Sequence, residues 1–183
     1  MVIRIYGNRP IKTLPGDATR PTPAKVREAL FNSWQGQISG CRWLDLCAGS
    51  GAMGAEALCR GASTVIGIEQ SGAACRVIQT NWQTVVKPEQ TFRVIRGDVV
   101  KKLAQLELPP FDRVYFDPPY GAGLYAQVLE ILVQKQLLVL GAAVVAEYTP
   151  KYWQPISSRG LELTRTKRYG LTHLAFFEVS PPA

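Results

Sequence analysis

The sequence is poor in the residues that build metal and redox centres. Its 183 residues include one histidine, His173, and four cysteines that form no Cys-x-x-Cys pair. A structural zinc site usually takes four Cys or His ligands at short, regular spacings. We therefore expect no metal site and assign no function to His173. We interpret the cysteines (Cys41, Cys47, Cys59 and Cys75) as small, reduced apolar residues.

Long apolar runs are also absent. No window approaches the ~20 uncharged apolar residues that cross a bilayer, and the N-terminal stretch VIRIYGNRPIK has arginines too early for a secretory signal. We expect a cytoplasmic protein without a membrane partner. Since 46% of the residues are hydrophobic, a chain of this length can bury one main core, and we expect a monomer.

Negative charge is scarce at both ends of the chain. The net charge is +7, but residues 1–42 carry +5, residues 43–150 carry −1 and residues 151–183 carry +3. Basic ends around a nearly neutral middle favour a polyanion, such as nucleic acid, that docks on the ends. The alternative is an ordinary solvated positive surface, and the charge pattern leaves both open.

From residue 43 onward, strand-length apolar runs alternate with helix-length segments, which is typical of βαβ units in a parallel sheet. The last two strands follow each other around a glycine and predict an antiparallel hairpin at one edge. Before this core we expect a small hairpin around Gly7 and Asn8 and a helix over 24–34. The predicted strands are 43–48, 64–69, 91–96, 112–116, 142–148, 161–169 and 171–179, and the predicted helices are 52–60, 73–86, 99–106 and 126–138.

The first strand runs into a glycine-rich turn, Asp45-Leu-Cys-Ala-Gly49-Ser-Gly51-Ala-Met-Gly54. Glycine is needed where the backbone turns tightly or approaches a ligand closely, and the helix that follows offers unpaired N–H groups. Glu69 ends the second strand, where a carboxylate can accept both hydroxyls of an adenosine ribose. The turn and the acid together predict a cofactor that carries a nucleoside.

Two further acids indicate which cofactor this is. A carboxylate at Asp45 repels a pyrophosphate and attracts an ammonium group. S-adenosylmethionine (AdoMet) has an amino-acid tail, a ribose and an adenine, and it has no phosphate. Asp98, after the third strand, can accept a hydrogen bond from the adenine amine, although a cap for the next helix is an equally good interpretation.

The stretch VYFDPPYG, residues 114–121, ends the fourth strand on an acid and two prolines. Asp117 then faces the crevice at the carboxyl ends of the strands. Its carboxylate and the carbonyl of Pro118, held by the fixed φ of proline, can accept hydrogen bonds from an exocyclic amine of a nucleobase and favour its attack on a methyl group. Tyr120 offers a ring on which a flipped base can stack.

These stretches, with RPTPAKVREALFN (20–32) and KRYGLTHLAFFE (167–178), resemble the RsmD-type bacterial methyltransferases, which methylate the N2 amine of a guanine in small-subunit (16S) ribosomal RNA. The resemblance spans nearly the whole chain and implies a class I methyltransferase fold, a doubly wound, Rossmann-like, seven-stranded α/β sheet. It implies an N-terminal basic extension and helix over 1–34, a methyltransferase domain over 35–183, and as substrate a ribosomal RNA within a small subunit or an assembly intermediate.

The resemblance also assigns roles to residues. It implies that AdoMet is bound by Asp45, Gly49, Gly51, Glu69 and Asp98, and that Asp117, Pro118 and Tyr120 act on the target base. Arg20 and Thr22 would lie near that base, although a proline-rich turn that holds the helix is an equally good interpretation. Where the family often has G-x-x-R-G-R-K-L, this chain has GNRPIKTL, so Arg9 and Lys12 remain for RNA phosphates.

Three alternatives remain at this point. An adenine N-methyltransferase acting on DNA or another RNA would share the DPPY motif, although DNA enzymes of this kind usually carry an extra recognition region. A dehydrogenase could use the Gly-x-Gly-x-x-Gly pattern to bind NAD, which Asp45 disfavours. A non-catalytic RNA-binding module could have the fold alone.

Overall fold

The computed structural model describes residues 1–14 and 22–179. Its helices are α1 (Ala24–Ser33), α2 (Ala52–Cys59), α3 (Gly72–Val85), α4 (Val99–Ala104) and α5 (Tyr125–Gln134). Its strands are β1 (Val2–Ile5), β2 (Arg9–Lys12), β3 (Arg42–Leu46), β4 (Thr64–Glu69), β5 (Thr91–Arg96), β6 (Phe111–Phe116), β7 (Leu138–Tyr148), β8 (Leu161–Tyr169) and β9 (Thr172–Val179). Among these helices, none is long and apolar enough to cross a membrane.

The seven strands from β3 to β9 form one sheet in the order β5-β4-β3-β6-β7-β9-β8. The first five of these are parallel, and β9 and β8 are antiparallel to their neighbours at one edge. The predicted doubly wound sheet with a C-terminal hairpin is confirmed. The chain winds outward from β3 in one direction and from β6 in the other, so the carboxyl ends of β3 and β6 flank the crevice where such sheets bind ligands.

Alternate residues of the sheet belong to two separate cores. Trp43, Tyr115 and Val145 pack with α1, α2, α3 and the β1–β2 hairpin on one face. Leu44 and Val114, with their neighbours, pack with α4 and α5 on the other face. Because side chains alternate along a strand, every second residue of β3, β6 and β7 points towards α1, α2 and α3. Asp45 and Glu147 are therefore on the same face as Tyr115.

The N-terminal segment packs into the first of these cores. Ile11 of β2 and Leu30 of α1 are buried in the same cluster as Trp43. The predicted N-terminal hairpin and helix are confirmed. The buried Arg27 of α1 lies 3.5 Å from Glu56 of α2 and donates to the backbone carbonyls of Thr22 and Arg4. The segment and the sheet thus share one core, while the domain boundary between residues 34 and 35 stays a prediction.

The predicted helix over 126–138 is wrong at its C-terminal end. The helix ends at Gln134, Gln136 takes a positive φ of 53°, and the N–H of Leu137 returns to the carbonyl of Leu132 at 3.0 Å. This left-handed turn stops a helix in the way that glycine commonly does, and glutamine gives no such warning in a sequence. Leu138 then pairs with Phe111, so the apolar run that suggested helix starts β7.

Two helix glycines test this packing, one next to a buried tryptophan and the other next to an arginine. A Cβ on Gly54 of α2 would lie 2.3 Å from the buried ring of Trp82, whereas a Cβ on Gly72 of α3 would meet only the flexible guanidinium end of Arg96. Neither glycine has a positive φ. We expect Gly54→Ala to lower the free energy of unfolding by roughly 1–3 kcal/mol, because a packed core resists added volume. Urea denaturation measures this, and Gly72→Ala is the control, with an expected loss of under ~0.5 kcal/mol. Equal losses would contradict the packing.

Candidate functional site

The turn between β3 and α2 forms an open loop that two residues of α3 hold in place. Gly49 and Gly51 take positive φ values of 57° and 73°. The indole N–H of Trp82 donates to the carbonyl of Gly51 at 2.7 Å, and the side-chain amide of Asn81 donates to the carbonyl of Ser50 at 2.9 Å. A Cβ on Gly51 would collide with Trp82, whereas the space around Gly49 is open. The loop is therefore anchored on one side and free to receive a ligand at Gly49.

Glu69 closes this loop from the end of β4. One of its carboxylate oxygens accepts from the N–H of Gly49 at 2.9 Å, and the other accepts from the N–H of Ser71 at 2.7 Å. Each oxygen keeps a second lone pair for a further donor. Ribose binding by Glu69 stays a prediction, while its part in fixing Gly49 is visible.

Asp45 lies beneath the N-terminal end of α2. It is 1% exposed, and its carboxylate accepts from the N–H of Gly54 at 2.9 Å. The pKa of Asp45 is raised to about 8, mainly by burial; the hydrogen bond from Gly54 lowers it and the charge of Glu69 raises it. Asp45 is therefore close to the loop, beneath it rather than on its surface, and its contact with a ligand stays a prediction.

Asp98 caps the next helix. It precedes α4, and its carboxylate accepts from the N–H of Lys101 at 2.9 Å. The capping interpretation left open by the sequence is thus correct. The capping oxygen keeps one lone pair, and the second carboxylate oxygen of Asp98 is not used by the cap. A hydrogen bond from an adenine amine to Asp98 stays a prediction.

Asp117 follows β6 directly, at the switch point of the sheet. Its backbone N–H donates to the carbonyl of Leu46 at 3.3 Å, which ties it to the end of β3. Within residues 1–14 and 22–179, its carboxylate has no ion pair and accepts no hydrogen bond. Burial, then the charges of Glu147 and Asp45, raise the pKa of Asp117 well above its usual range. An acceptor with no partner in this part of the chain suits a ligand that brings the donor.

Pro118 and Tyr120, which follow Asp117 in DPPY, differ in exposure. Pro118 is buried and Tyr120 is 47% exposed, so the ring of Tyr120 is accessible at the mouth of the crevice. Its hydroxyl donates to a carboxylate oxygen of Glu147 at 3.2 Å. The structure thus brings Asp117, Pro118 and Tyr120 to one end of the sheet, next to the glycine loop, and their catalytic roles stay predictions.

Sequence reasoning missed Glu147. This residue of β7 is 4% exposed, and its two carboxylate oxygens accept separately from the hydroxyls of Tyr120 and Tyr115. The available signal was an acid near the end of an apolar strand, AAVVAEY, which is the same pattern that pointed to Asp45 and Asp117. Three acids therefore stand on the neighbouring strands β3, β6 and β7 at one end of the sheet.

The predicted RNA-contacting residues lie in different surroundings. Thr22 is buried, and its hydroxyl oxygen is 3.3 Å from that of Tyr115. Arg9 donates to the sulfur of Cys59 at 3.4 Å, while the backbone of Lys12 exchanges two hydrogen bonds with the side chain of Asn81. Arg20 lies outside the described residues. The β1–β2 hairpin is thus fastened to the helices that hold the glycine loop, and RNA contact by these residues stays a prediction.

The chain is similar to a known protein family and to several known proteins. A family model described as conserved hypothetical protein 95 matches residues 3–178. A candidate ribosomal RNA methyltransferase of Bacillus subtilis is 33% identical over 93% of each chain. Ribosomal RNA small subunit methyltransferase D of Escherichia coli K12 is 32% identical over 92% of this chain and 85% of its own. A candidate methyltransferase solved from Escherichia coli has a TM-score of 0.85 at 29% identity and covers all of both chains.

The buried carboxyl group of Asp45 predicts a dependence of stability on pH. Because its pKa is raised to about 8 by burial, the folded chain holds this proton more tightly than the unfolded chain. Asp45 then contributes full stability below its unfolded pKa of ~4, and that contribution is lost as the pH rises towards 8. We expect Asp45→Asn to gain unfolding free energy over the wild type progressively from pH 5 to pH 8.5 in urea titrations.

The control is Glu89→Gln, which neutralises an acid in the exposed turn before β5. Its difference from the wild type should stay within ~0.5 kcal/mol and not grow with pH. A difference between Asp45→Asn and the wild type that is the same at pH 5 and pH 8.5 would show that Asp45 is not protonated on folding.

Proposed function

Since the chain belongs to the family described as conserved hypothetical protein 95, we propose that it transfers a methyl group from AdoMet to the N2 amine of a guanine in small-subunit ribosomal RNA. The observation that carries the proposal is the Asp117 carboxylate, which has no partner in the described chain and lies beside an open glycine loop. The names of the relatives, which are ribosomal RNA methyltransferases, support the substrate class.

The residues around the loop fit AdoMet better than a dinucleotide. Asp45, Glu69 and Asp117 are all acids, and the ion pairs in the described chain join Glu56 to Arg27 and Arg60, away from these acids. A cationic ligand here favours the ionised form of the carboxyl groups and lowers the raised pKa of Asp45 and Asp117, whereas a pyrophosphate opposes their ionisation. In the proposed complex the open side of Gly49 and the outer lone pairs of Glu69 hold the nucleoside. AdoMet supplies a methyl group on a positively charged sulfur, so no metal or covalent nucleophile is required.

Asp117 and Pro118 act on the amine. The lone pair of an exocyclic guanine amine is delocalised into the ring, which makes the nitrogen a weak nucleophile. Hydrogen bonds from this amine to the Asp117 carboxylate and the Pro118 carbonyl draw the nitrogen towards a tetrahedral geometry. As the nitrogen forms its bond to the methyl carbon, the carbon–sulfur bond breaks and its electron pair stays on the sulfur. The nitrogen becomes more acidic, and the carboxylate of Asp117 accepts its proton. The fixed φ of Pro118 and Pro119 holds both acceptors in place beforehand.

Tyr120 and basic residues of the N-terminal segment bind the RNA. A guanine flipped out of a helix stacks on the accessible ring of Tyr120, a contact worth ~1–3 kcal/mol per base. Arg9, Lys12 and Arg20 bind phosphates around it. The substrate is the RNA in a small subunit or an assembly intermediate, and the enzyme works as a monomer in the cytoplasm.

The proposal predicts that Asp117 is essential for methyl transfer. We expect Asp117→Ala to lower kcat by about 100-fold or more, because general base and positioning effects are both removed. The assay follows radiolabelled methyl transfer from AdoMet to small subunits from cells lacking this protein, and mass spectrometry locates the modified guanine. Glu130→Ala, an exposed acid of α5, is the control. If Asp117→Ala is as fast as the wild type, or if the protein binds NAD and not AdoMet, the proposal is wrong.

A second prediction concerns the N-terminal hairpin. If Arg9 and Lys12 each neutralise one phosphate, replacing both with alanine should weaken RNA binding and reduce the slope of log K against log salt by about 0.7–0.9 for each contact. Fluorescence anisotropy at several salt concentrations measures the slope. Lys135→Ala, an exposed lysine just after α5, should leave the slope unchanged. An unaltered slope for the double variant would exclude these two residues from phosphate binding.

A further inference from the structure

The proposed chemistry uses Asp117, Pro118 and Tyr120 and leaves Glu147 without a role. Glu147 is one of the least exposed acids of the described chain. Taking a carboxylate out of water costs several kcal/mol unless donors replace the water. Here the replacement is nearly complete, because one oxygen accepts from Tyr120 and the other from Tyr115. Burial raises the pKa of Glu147, and the hydrogen bonds from these two tyrosines oppose that effect.

Glu147 of β7 and Asp117, which directly follows β6, occupy matching register positions. Phe116 of β6 pairs with Ala146 of β7, and Asp117 and Glu147 each come one residue later. Neighbouring strands lie ~4.8 Å apart, so the two carboxyl groups stand side by side on one face. The charge of Glu147 contributes to the raised pKa of Asp117, second to burial. Of the two acids, Glu147 has the donors and Asp117 has none among the described residues.

The hydrogen bonds of Glu147 connect two parts of the proposed RNA site. Through Tyr120 it holds the ring on which a base would stack. Through Tyr115 it reaches Thr22, whose hydroxyl oxygen is 3.3 Å from that of Tyr115 and which leads into α1. A chain of polar contacts thus runs from the N-terminal segment, under the crevice, to the exposed ring at its mouth.

We propose that Glu147 is a positioning residue for methyl transfer: its carboxylate fixes the hydroxyl of Tyr120, so that the ring stands ready beside Asp117 before the base arrives. This inference rests on the proposed function of the same site. An exposed tyrosine at the end of a turn would otherwise sample several rotamers, and the base it receives would share that freedom. Holding the ring reduces the entropy lost when the amine is aligned with Asp117.

The position of Glu147 also affects the pKa of Asp117. The titratable groups that surround Asp117 are Asp45, Cys47, Tyr115, Tyr120, Tyr125 and Glu147. Burial raises the pKa of the thiol and of the phenols, so these groups stay neutral. The carboxyl groups, whose pKa burial also raises, are therefore the groups that can change the charge around Asp117 as the pH rises. Removing the charge of Glu147 should lower the pKa of Asp117 and move the acid limb of the pH–rate profile to lower pH.

Three variants test the proposal in the methyl-transfer assay with small subunits. Glu147→Gln keeps the shape and removes the charge, Tyr120→Phe keeps the ring and removes the hydroxyl, and the double variant combines them. We expect each single variant to lower kcat by about 10-fold to 100-fold with little change in KM for AdoMet. The second substitution should cost less in the background of the first, because both remove the same contact. Only the variants that lack Glu147 should shift the acid limb.

Tyr148→Phe is the matched control. Tyr148 is the next residue of β7, equally buried, and packs in the core on the opposite face of the sheet. The Tyr148→Phe substitution removes a buried phenol hydroxyl and should leave kcat and the acid limb of the pH–rate profile unchanged. Thermal unfolding of each variant separates a loss of folded protein from a loss of rate. If Glu147→Gln does not fold, Tyr120→Phe still tests the contact between these two residues.

The outcomes are distinct. If the wild type methylates the subunits and both Glu147→Gln and Tyr120→Phe do so at its rate and with its pH profile, the positioning role is wrong and the proposed function stands. Additive losses in the double variant likewise overturn the role. If the wild type transfers no methyl group, the proposed function fails, and the role of Glu147 fails with it.

Discussion

The structure depends on how acids are accommodated at the carboxyl end of a buried parallel sheet. Asp45, Asp117 and Glu147 stand on three adjacent strands, and burial raises the pKa of each. The described part of the chain places no ion pair on any of them. The three acids differ in their hydrogen bonds. Asp45 accepts one from a helix N–H, Glu147 accepts two from tyrosine hydroxyls, and Asp117 accepts none from the described chain. In the proposed function, a cationic cofactor and an amine bind beside Asp117, the acid that has no hydrogen-bond donor among the described residues.

Rigidity around this unsatisfied group comes from large side chains. The ring of Trp82 fills the space that Gly51, Gly54 and Gly67 leave empty and donates to the carbonyl of Gly51. Glu69 fixes the other side of the loop through Gly49. A loop held at both sides loses little conformational entropy when a ligand binds. The prolines after Asp117 reduce the entropy loss in the same way.

The N-terminal segment belongs to this arrangement through its packing. Arg27 is buried against Glu56 and ties α1 to α2, while Asn81 of α3 bonds both to β2 and to the glycine loop. A change in how the hairpin sits would therefore reach the loop through α3. In the proposed function, the same segment carries the basic residues that meet RNA, so RNA binding and cofactor binding share supporting contacts.

The sequence by itself determined the sheet, the order of most elements and the positions of Asp45, Gly49, Glu69 and Asp117, because alternating apolar runs and glycine-rich turns are local patterns. It misjudged the end of α5, where an apolar run fits a helix or a strand and a left-handed glutamine decides between them. Tertiary structure alone decided that Asp98 caps a helix, that Trp82 supports the loop, and that Glu147 holds two tyrosines. Tyr115 and Glu147 are 32 residues apart, Thr22 and Tyr115 are 93 apart, and only the pairing of strands and the docking of α1 bring such groups within hydrogen-bond distance.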